Sequence, residues 1–388
     1  MNRLPSAFRR VWIGSTLGQL GDVGFMLALP WLVLQMTGSS LALGSVMMAL
    51  AIPRALLMLV GGAVSDRYAA RRILAIACTV QAMCAVAIAA LLHVAAMDLS
   101  LLYGLAFCFG VADAFSEPAL RVVVPELVAA EQLPRANALL QASGQLCLLA
   151  GSAVGGVAIA QWGVLPVFVF HAASYGGLIA ILLCLPTPAR AAAPAGENGL
   201  WAAIANGLRH VWHARALRSL LTSFAGINFC MAGATQIGLV VLANAHYGSA
   251  GLGVLMTCVA AGSLTGMITA GKWQPAAGTH AGVAGASIAL AVLLAGLALP
   301  MPLWWVCLIA ALLGAVAGFV NVVVISWLQG QVRGDMLGRV MSVLGLASAG
   351  IVPLSLAAAG LVARHGTDVL FMSASGLLIL MLVAFRRG

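Results

Sequence analysis

Long apolar segments dominate this chain and restrict its possible folds more than any other feature. Runs of membrane length with very few charged side chains follow one another, separated by short polar breaks. About 20 apolar residues are needed to cross the hydrocarbon core of a bilayer. Because lipid supplies no hydrogen-bond partners, the backbone of such a segment must be helical or belong to a closed barrel. Since the runs show no strict alternation of apolar and polar residues, the sequence predicts an all-α integral membrane protein.

Composition excludes a soluble globular protein. Hydrophobic residues make up 63% of the chain and charged residues only 7%, and the mean hydropathy is +1.07. A soluble domain contains about 45–50% apolar and about 25% charged residues. A chain this apolar cannot cover its surface with polar side chains, so we expect its outer surface to face lipid.

The apolar pattern predicts twelve transmembrane helices in two six-helix bundles. The first run follows Arg9 and Arg10 and is too long for the core of a signal peptide, so we expect it to be retained. The 44 glycines are typical of helices that pack closely in lipid. The predicted spans are 11–36, 41–65, 73–95, 99–120, 138–161, 165–186, 217–243, 250–271, 281–299, 303–328, 340–363 and 368–385.

Basic residues predict the orientation of these spans. With the amino terminus in the cytoplasm, all but two of the 19 Lys and Arg residues fall on the cytoplasmic side. The exceptions are Arg54, inside the second span, and Arg364, in an outer loop. The positive-inside rule therefore places both termini in the cytoplasm. The net charge of +9 is explained by this topology and by attraction to anionic headgroups, so no nucleic-acid partner is expected.

The chain divides into two similar halves. We expect an N-terminal bundle at 1–186, a cytoplasmic linker with an interfacial helix at 187–216, and a C-terminal bundle at 217–388. The linker begins with a Pro-, Ala- and Gly-rich stretch, and its second part is amphipathic. LALGSVMMAL at 41–50 resembles AGLGVLMTCV at 250–259, and LPRANALL at 133–140 resembles LGRVMSVL at 337–344. Six spans in each half give the two copies the same orientation, as in a parallel repeat.

A compact charged cluster, GGAVSDRYAARR at 61–72, lies between two membrane-length runs and predicts a short cytoplasmic loop. Its order of glycine, Asp-Arg and a basic pair resembles the loop signature of the major facilitator superfamily. The resemblance covers nearly the whole chain and is closest to the macrolide-efflux and enterobactin-exporter-like branch. Four further segments show the resemblance: FRRVWIGSTLGQLGDVGFMLALPWLVLQMTGSSLALG, IPRALLMLVGGAVSDR, ELVAAEQLPRANALLQ and LGRVMSVLGLAS.

The resemblance implies a secondary transporter with a central cavity that works by alternating access in the bacterial inner membrane. It also implies that the charged loop acts as a latch between the halves, because an Asp at a helix end can meet the positive amino-terminal end of another helix. The expected partner is the start of the eleventh span, near Gly338 and Arg339. The alternative is that the arginines only set topology. The predicted latch residues are Gly62, Asp66, Arg67, Arg71, Arg72 and Glu117.

Asp22 is an ionisable residue near the middle of the first predicted span. Such a group is costly in lipid and normally faces a partner or a water-filled cavity. Gln19 and Met26 lie one turn before and after it, on the same face. We interpret Asp22 as a carboxyl group for proton coupling or for binding a cationic substrate. The alternative is a structural Asp that caps a kink beside Gly21 or pairs with Arg54.

Arg54 follows Pro53 in the second predicted span and remains charged, so it needs an acidic partner. The candidates are Asp22 and Asp113, and the sequence does not decide between them. Glu117 lies one turn after Asp113, and we expect it to pair with arginines of the cytoplasmic loop rather than with substrate.

Small and polar residues in other spans complete the list of candidates. GSAVGG at 151–156 resembles the antiporter motif of the family, with Ser152 in place of its proline; ordinary small-residue packing is the alternative. Its glycines are Gly151, Gly155 and Gly156. The resemblance implies that spans 1, 4, 7 and 10 line the cavity, and polar positions in the second half are Asn228, Thr235, Gln236 and Asn321.

These patterns predict proton-coupled export of a small amphipathic molecule of drug, macrolide or siderophore type. An importer or a lysophospholipid translocator of the same fold, a channel and a membrane enzyme remain alternatives. Residues 266–272 resemble a phosphate-binding loop, but Trp273 stands where Ser or Thr would bind magnesium, so ATP hydrolysis is not expected. The eight cysteines have no paired spacing. We expect no cofactor or metal, and the expected partners are the substrate, protons and the bilayer around a monomer.

Overall fold

The computed structural model describes residues 4–185, 215–272, 280–331 and 334–387, and every regular element in these ranges is helical. The prediction of an all-α protein is therefore confirmed. A 3-10 turn, Ala130–Gln132, precedes α5, and a π-helical turn, Ala234–Gly238, joins α7 to α8. The α-helices are α1 Ser6–Thr37, α2 Ser40–Arg67, α3 Ala70–His93, α4 Leu99–Leu127, α5 Leu133–Trp162, α6 Leu165–Cys184, α7 Arg215–Gly233, α8 Leu239–His246, α9 Gly248–Lys272, α10 His280–Leu297, α11 Leu303–Gln331, α12 Gly334–Ala363 and α13 Thr367–Arg387.

Helices of membrane-spanning length occur throughout the described chain. Nine of them are long and apolar enough to cross a bilayer, and three further apolar stretches are shorter. The shorter stretches are Gly282–Leu297, Ser348–Ala363 and Thr367–Val383. The predicted linker and nearly all of the predicted interfacial helix, at 187–214, lie outside the described residues.

Contacts divide the described residues into two units. The first unit contains the chain up to Gly38 and from Val46 to the end of α6, and the second contains Ser39–Ser45 and all described residues from α7 onward. Each unit is described by itself below.

Glycines let α1 of the first unit lie very close to α6. A Cβ atom on Gly14 would lie 2.9 Å from Ile181 Cδ1, and one on Gly21 would lie 2.6 Å from Ser174 Oγ. Such close approach of small residues is typical of helix packing in lipid. Because Gly21 lies against α6, the next residue on α1, Asp22, is placed beside the middle of that helix.

A second close approach fixes α4 against α2. Gly110 packs directly on the carbonyl oxygen of Leu50, and a Cβ atom there would also lie 2.9 Å from Pro53 Cγ. Polar residues one turn further along each helix, Arg54 and Asp113, are therefore brought next to each other.

The second unit contains the most extensive glycine contact of the described helices. Gly262 and Gly266 of α9 face backbone carbonyls of α11, while Gly314 and Gly318 of α11 face carbonyls of α9. Because each helix presents glycines to the other, the two backbones pack without intervening side chains.

Candidate transport site

The first unit forms a half-open cavity of about 790 Å³, a volume in the usual range for small-molecule sites. Apolar residues such as Met26, Leu74 and Phe109 form part of its wall. Its polar lining comes from five helices: Ser15, Gln19, Asp22, Arg54, Asp113, Ser116, Glu117, Arg121, Asn137, Gln141 and Tyr175. The cavity therefore combines an apolar wall with charged groups at membrane depth.

Asp22 faces this cavity from α1. Its side chain is 36% exposed, and the Tyr175 hydroxyl donates to both carboxyl oxygens, at 2.8 Å to Oδ1 and 2.9 Å to Oδ2. Gln19 and Met26, one turn away on either side, also line the cavity. The structure thus brings the three residues together on one face of α1.

Two residues of α6 that were not among the predicted site residues lie beside Asp22. Tyr175 binds the carboxyl group, and the fully buried His171 places Nδ1 3.7 Å from Asp22 Oδ1. A signal for both was present in the sequence, since a histidine and a tyrosine one turn apart share a face of an apolar predicted span.

Arg54 pairs with Asp113, the second of the two carboxylates left open by the sequence. Its Nη1 lies 3.1 Å from Asp113 Oδ2, and its Nη2 lies 3.7 Å from Glu117 Oε2. The Arg54 side chain is 45% exposed, toward the cavity that it lines, rather than removed from solvent. The alternative pairing of Arg54 with Asp22 is not formed.

Glu117 connects this pair to a second arginine on its own helix. Arg121 Nη2 donates to Glu117 Oε1 at 2.6 Å, one turn along α4. Arg54, Asp113, Glu117 and Arg121 thus form a chain of ion pairs, which we call the α2–α4 ion chain. The partners of Glu117 among the described side chains are Arg54 and Arg121, and its pairing with arginines of the cytoplasmic loop stays a prediction, because the Arg67 side chain is not among them.

A buried glutamine on α3 supports the ion chain. Gln81 has no exposed surface and donates from Nε2 to Asp113 Oδ1 at 3.5 Å. The Ser116 hydroxyl lies at the same distance from that oxygen. Asp113 is therefore held by three helices, α2, α3 and its own.

Asp22 differs from the other cavity carboxylates because it stands outside the ion chain. Among the described residues, no Lys or Arg nitrogen lies within 4.0 Å of its oxygens. The other acids are each balanced by a guanidinium. Asp22 is therefore the cavity carboxylate whose charge no described Lys or Arg balances.

The predicted latch is described only in part. Gly62, Asp66 and Arg67 are described by backbone alone, at the end of α2, and the side chains around Arg339 also lie outside the described residues. Arg71 donates from Nη2 to the carbonyl oxygen of Leu183 at 3.1 Å, near the end of α6. Arg72 is exposed.

The glycines of the antiporter-like motif pack α5 on α1. A Cβ atom on Gly151 would lie 2.9 Å from Leu20 Cδ1, and one on Gly155 would lie 3.1 Å from Leu27 Cδ1. Gly156 is buried, and Ser152, which replaces the proline, donates to the Leu148 carbonyl within its own helix at 2.7 Å.

The candidates of the second half lie in the second unit and do not line the cavity of the first. Asn228 donates to the Phe224 carbonyl at 2.9 Å, and Thr235 donates to the Met231 carbonyl at 2.7 Å. Gln236 is half-buried in the π-helical turn, and Asn321 is exposed on α11.

The apolar helices of membrane-spanning length and the charged cavity are those expected of a multi-pass membrane transporter. The chain belongs to the transmembrane secretion effector family of the major facilitator superfamily, whose model matches residues 4–387. It is 26% identical over 372 residues to the multidrug efflux pump Tap of Mycobacterium tuberculosis, covering 92% of this chain and 87% of the relative. It is 27% identical to Tap of Mycolicibacterium fortuitum, covering 86% and 84%.

Solved structures with the same fold are other transporters. The nucleoside transporter NupG superposes with a TM-score of 0.77 at 14% identity, over 98% of each chain. A bacterial homologue of the iron transporter ferroportin, in an inward-facing state, superposes with a TM-score of 0.74 at 14% identity, also over 98% of each chain. At these identities the likeness concerns the fold alone.

Proposed function

We propose that this protein is a proton-coupled exporter of small amphipathic molecules. The observation that carries the proposal is the position of Asp22, which faces a cavity of about 790 Å³ and stands outside the α2–α4 ion chain. A carboxyl group in that position can bind a proton in one state and release it in another, while the ion chain keeps its charges balanced.

The cavity lining supports an amphipathic substrate. Met26, Leu74 and Phe109 offer apolar surface, and Gln19 and Gln141 offer hydrogen bonds. A mostly apolar pocket with a few polar groups is typical of small-molecule sites. The relatives named as multidrug efflux pumps support export over import. We therefore place this chain among exporters of drug-, macrolide- or siderophore-like compounds, with import or lysophospholipid translocation as the alternatives.

The transport cycle that we propose is alternating access by two six-helix bundles, at 1–186 and 217–388, connected through the 187–216 linker. Both termini are cytoplasmic in this arrangement, and the protein is a monomer in the bacterial inner membrane. Asn228, Gln236 and Asn321 contribute the second half of the substrate path. The loop residues Gly62, Asp66, Arg67, Arg71 and Arg72 act as the latch, with Glu117 anchoring α4 through the ion chain.

Transport into everted membrane vesicles tests this proposal. The probes are tetraphenylphosphonium, erythromycin and enterobactin, which represent a cation, a macrolide and a siderophore. An imposed gradient, acidic inside the vesicle, should drive accumulation of at least one probe, and a protonophore should abolish it. Vesicles without the protein provide the background.

Three outcomes separate the alternatives. Accumulation only in right-side-out vesicles identifies an importer. Movement of fluorescent lysophospholipid, without movement of the three probes, identifies a lipid translocator. Accumulation that is unaffected by the pH gradient contradicts proton coupling.

A further inference from the structure

His171 is a histidine without exposed surface on α6. Its side chain is 0% exposed, and neither ring nitrogen makes a hydrogen bond of normal geometry with the described residues, while the Gly21 backbone of α1 lies against the ring. The rings of Phe25, Phe109 and Tyr175 surround it at centroid distances of 5.1, 5.6 and 4.6 Å. Because a buried polar group without a partner is unfavourable, this imidazole is expected to gain a partner in another state of the protein.

The carboxyl group of Asp22 is the ionisable group next to it. His171 Nδ1 lies 3.7 Å from Asp22 Oδ1, which is too far for a hydrogen bond. The Tyr175 hydroxyl meanwhile donates to both carboxyl oxygens. One hydroxyl within hydrogen-bond distance of both oxygens fits a charged carboxylate, in which both oxygens are acceptors. The observed geometry therefore fits the unprotonated state of Asp22.

Protonation of Asp22 changes this balance of donors and acceptors. The new O–H group needs an acceptor. The acceptors near it are the Tyr175 hydroxyl oxygen and Nδ1 of His171, and of these two only Nδ1 lacks a partner among the described residues. If Oδ1 carries the proton, its O–H can donate to Nδ1 of His171 while Tyr175 donates to Oδ2. The neutral imidazole then carries its own hydrogen on Nε2. The hydroxyl hydrogens of Asp22 and Tyr175 both have acceptors in this arrangement, and the Nε2 hydrogen of His171 stays without one among the described residues.

We propose that His171 is the positioning residue for the coupling proton: protonated Asp22 donates a hydrogen bond to His171 Nδ1, and the carboxylate releases it. The proton comes from cavity water and returns to it through the exposed part of Asp22, so only the carboxyl O–H bond forms and breaks. This inference rests on the proposed proton-coupled transport and adds the residue that senses the proton.

The same contact connects protonation to helix packing. Gly21 already lies on α6, where a Cβ atom would be 3.1 Å from His171 Cα. The 3.7 Å gap needs to shorten by less than about 1 Å to become a hydrogen bond. Asp22 and His171 therefore form a contact between α1 and α6 that is present only when the carboxyl group is neutral.

Other ionisable groups near Asp22 have partners of their own or lack charge. Arg54 and Arg121 balance the charges of Asp113 and Glu117 within the ion chain. On the remaining helices, the groups are Cys78 of α3, Cys147 of α5, whose Sγ donates to the Thr16 carbonyl, and Tyr175 of α6. The proton-dependent contact is thus assigned to Asp22 and His171 alone.

Nitrogen-15 NMR of the purified full-length protein in lipid nanodiscs tests the contact directly. The chain has seven histidines, so the His171 signal is identified by its absence in His171→Phe. As the pH is lowered from about 8 to about 5, we expect the unprotonated Nδ1 signal to move upfield while the ring stays neutral. A signal at one position throughout the titration, or conversion of His171 to an imidazolium, overturns the proposal.

Two variants at Asp22 sharpen this measurement. The amide of Asp22→Asn has N–H donors and imitates the neutral acid, so the Nδ1 signal should stay at the upfield position at every pH. Asp22→Leu has no donor, so the signal should stay at the unbonded position. A pH-dependent shift of Nδ1 that persists in Asp22→Leu assigns the effect to another group and contradicts the inference.

Transport of whichever probe the parent protein accumulates gives a second, separate readout. His171→Phe should lower gradient-driven accumulation at least tenfold while probe exchange continues. His171→Asn should recover part of it, because its amide oxygen can accept near the position of Nδ1. His93→Asn, at an exposed site at the end of α3, is the control and should match the parent. Equal loss in both His171 variants contradicts the acceptor role.

The two proposals fail in different ways. Absence of gradient-driven accumulation in the parent protein overturns the proposed function, whereas the NMR titration still decides whether protonated Asp22 binds His171. A parent that couples to protons but shows a pH-independent Nδ1 signal overturns this inference alone.

Discussion

Arg54 and Asp113 face each other between α2 and α4, with Nη1 3.1 Å from Oδ2. They lie one turn beyond Leu50 and Gly110, where the two backbones touch. Glu117, a further turn along α4, lies 3.7 Å from the same guanidinium. The ion pair therefore depends on the backbone contact at Gly110, where any larger residue would push α2 and α4 apart.

Loss of Arg54 should destabilise the first unit. Arg54→Ala leaves Asp113, only 19% exposed, without its cation. We expect the free energy of unfolding to fall by about 1–2 kcal/mol. This loss is larger than that for an exposed ion pair and smaller than that for a fully buried one. Unfolding in mixed detergent micelles measures this change. Arg121→Ala is the matched control and should cost under about 0.5 kcal/mol, because Arg121 is 78% exposed.

The double variant Arg54→Ala/Asp113→Asn tests by its unfolding free energy whether Asp113 is the partner of Arg54. It should recover part of the lost stability, since the unpaired carboxylate is removed. A double variant that is no more stable than Arg54→Ala would show that the pair does not stabilise the fold.

Gly110 should be intolerant of even one added methyl group. Gly110→Ala places a Cβ atom on the Leu50 carbonyl, and we expect it to destabilise the protein by about 1–3 kcal/mol through overpacking. Gly104→Ala, on the same helix with nothing within 4 Å, should be neutral or slightly stabilising. Thermal unfolding of both variants in one detergent makes the comparison; similar melting temperatures would contradict the close contact.

Neutralisation of Asp22 should separate exchange from proton-driven transport. In Asp22→Asn the carboxyl group can no longer gain or lose a proton, so accumulation driven by a pH gradient should fall to background. Exchange of a preloaded probe needs no net proton movement and should continue. Asp98→Asn, an exposed acid at the start of α4, is the control. Normal accumulation by a correctly inserted Asp22→Asn variant rules out its role.

Asp98 should stabilise α4 in a pH-dependent way. The backbone N–H of Leu101 and the hydroxyl of Ser100 both donate to its Oδ1, at 2.7 and 2.8 Å, and they lower the pKa of this carboxyl group. A lowered pKa in the folded state means that the stabilisation is complete above the ordinary Asp value, about 4, and is lost as the pH falls through the folded value.

Thermal unfolding of Asp98→Ala and Asp98→Asn tests this cap. The alanine variant should melt below the parent at neutral pH, and the difference should shrink below about pH 4, where the parent carboxyl group becomes protonated. The asparagine variant should melt near the parent at neutral pH, because Asn is also a good N-cap residue. A difference between alanine variant and parent that does not change with pH would contradict the role of the charge.

The helical class and many residues of the cavity were predictable because lipid leaves few choices. An arginine inside a span requires an acid, so the sequence narrowed the partner of Arg54 to two carboxylates. Choosing Asp113 required the distance between α2 and α4, which depends on the contact of Gly110 with Leu50. Sequence spacing within one helix does not contain that information.

The importance of His171 and Tyr175 was not predictable from the sequence, for a different reason. Both lie in an apolar segment where an aromatic ring is an ordinary packing residue, and their importance comes from the helix that they face. The depth at which Asp22 meets α6 is set by the glycines of α1, including Gly21. The pairing of Glu117 with arginines of the cytoplasmic loop stays a prediction, because the side chain of Arg67 lies outside the described residues.

The charges of the cavity belong to one half of the chain, and this has an electrical consequence. Asp22, Arg54, Asp113 and Glu117 lie in the first unit, whereas the sequence from 221 to 271 and from 281 to 331 contains no Asp, Glu, Lys or Arg. A membrane voltage exerts force only on charge, worth about 2.3 kcal/mol for each elementary charge moved through 100 mV. Those segments of the second half therefore offer the voltage no Asp, Glu, Lys or Arg to act on, whereas protonation of Asp22 changes the net charge on which it acts in the first half.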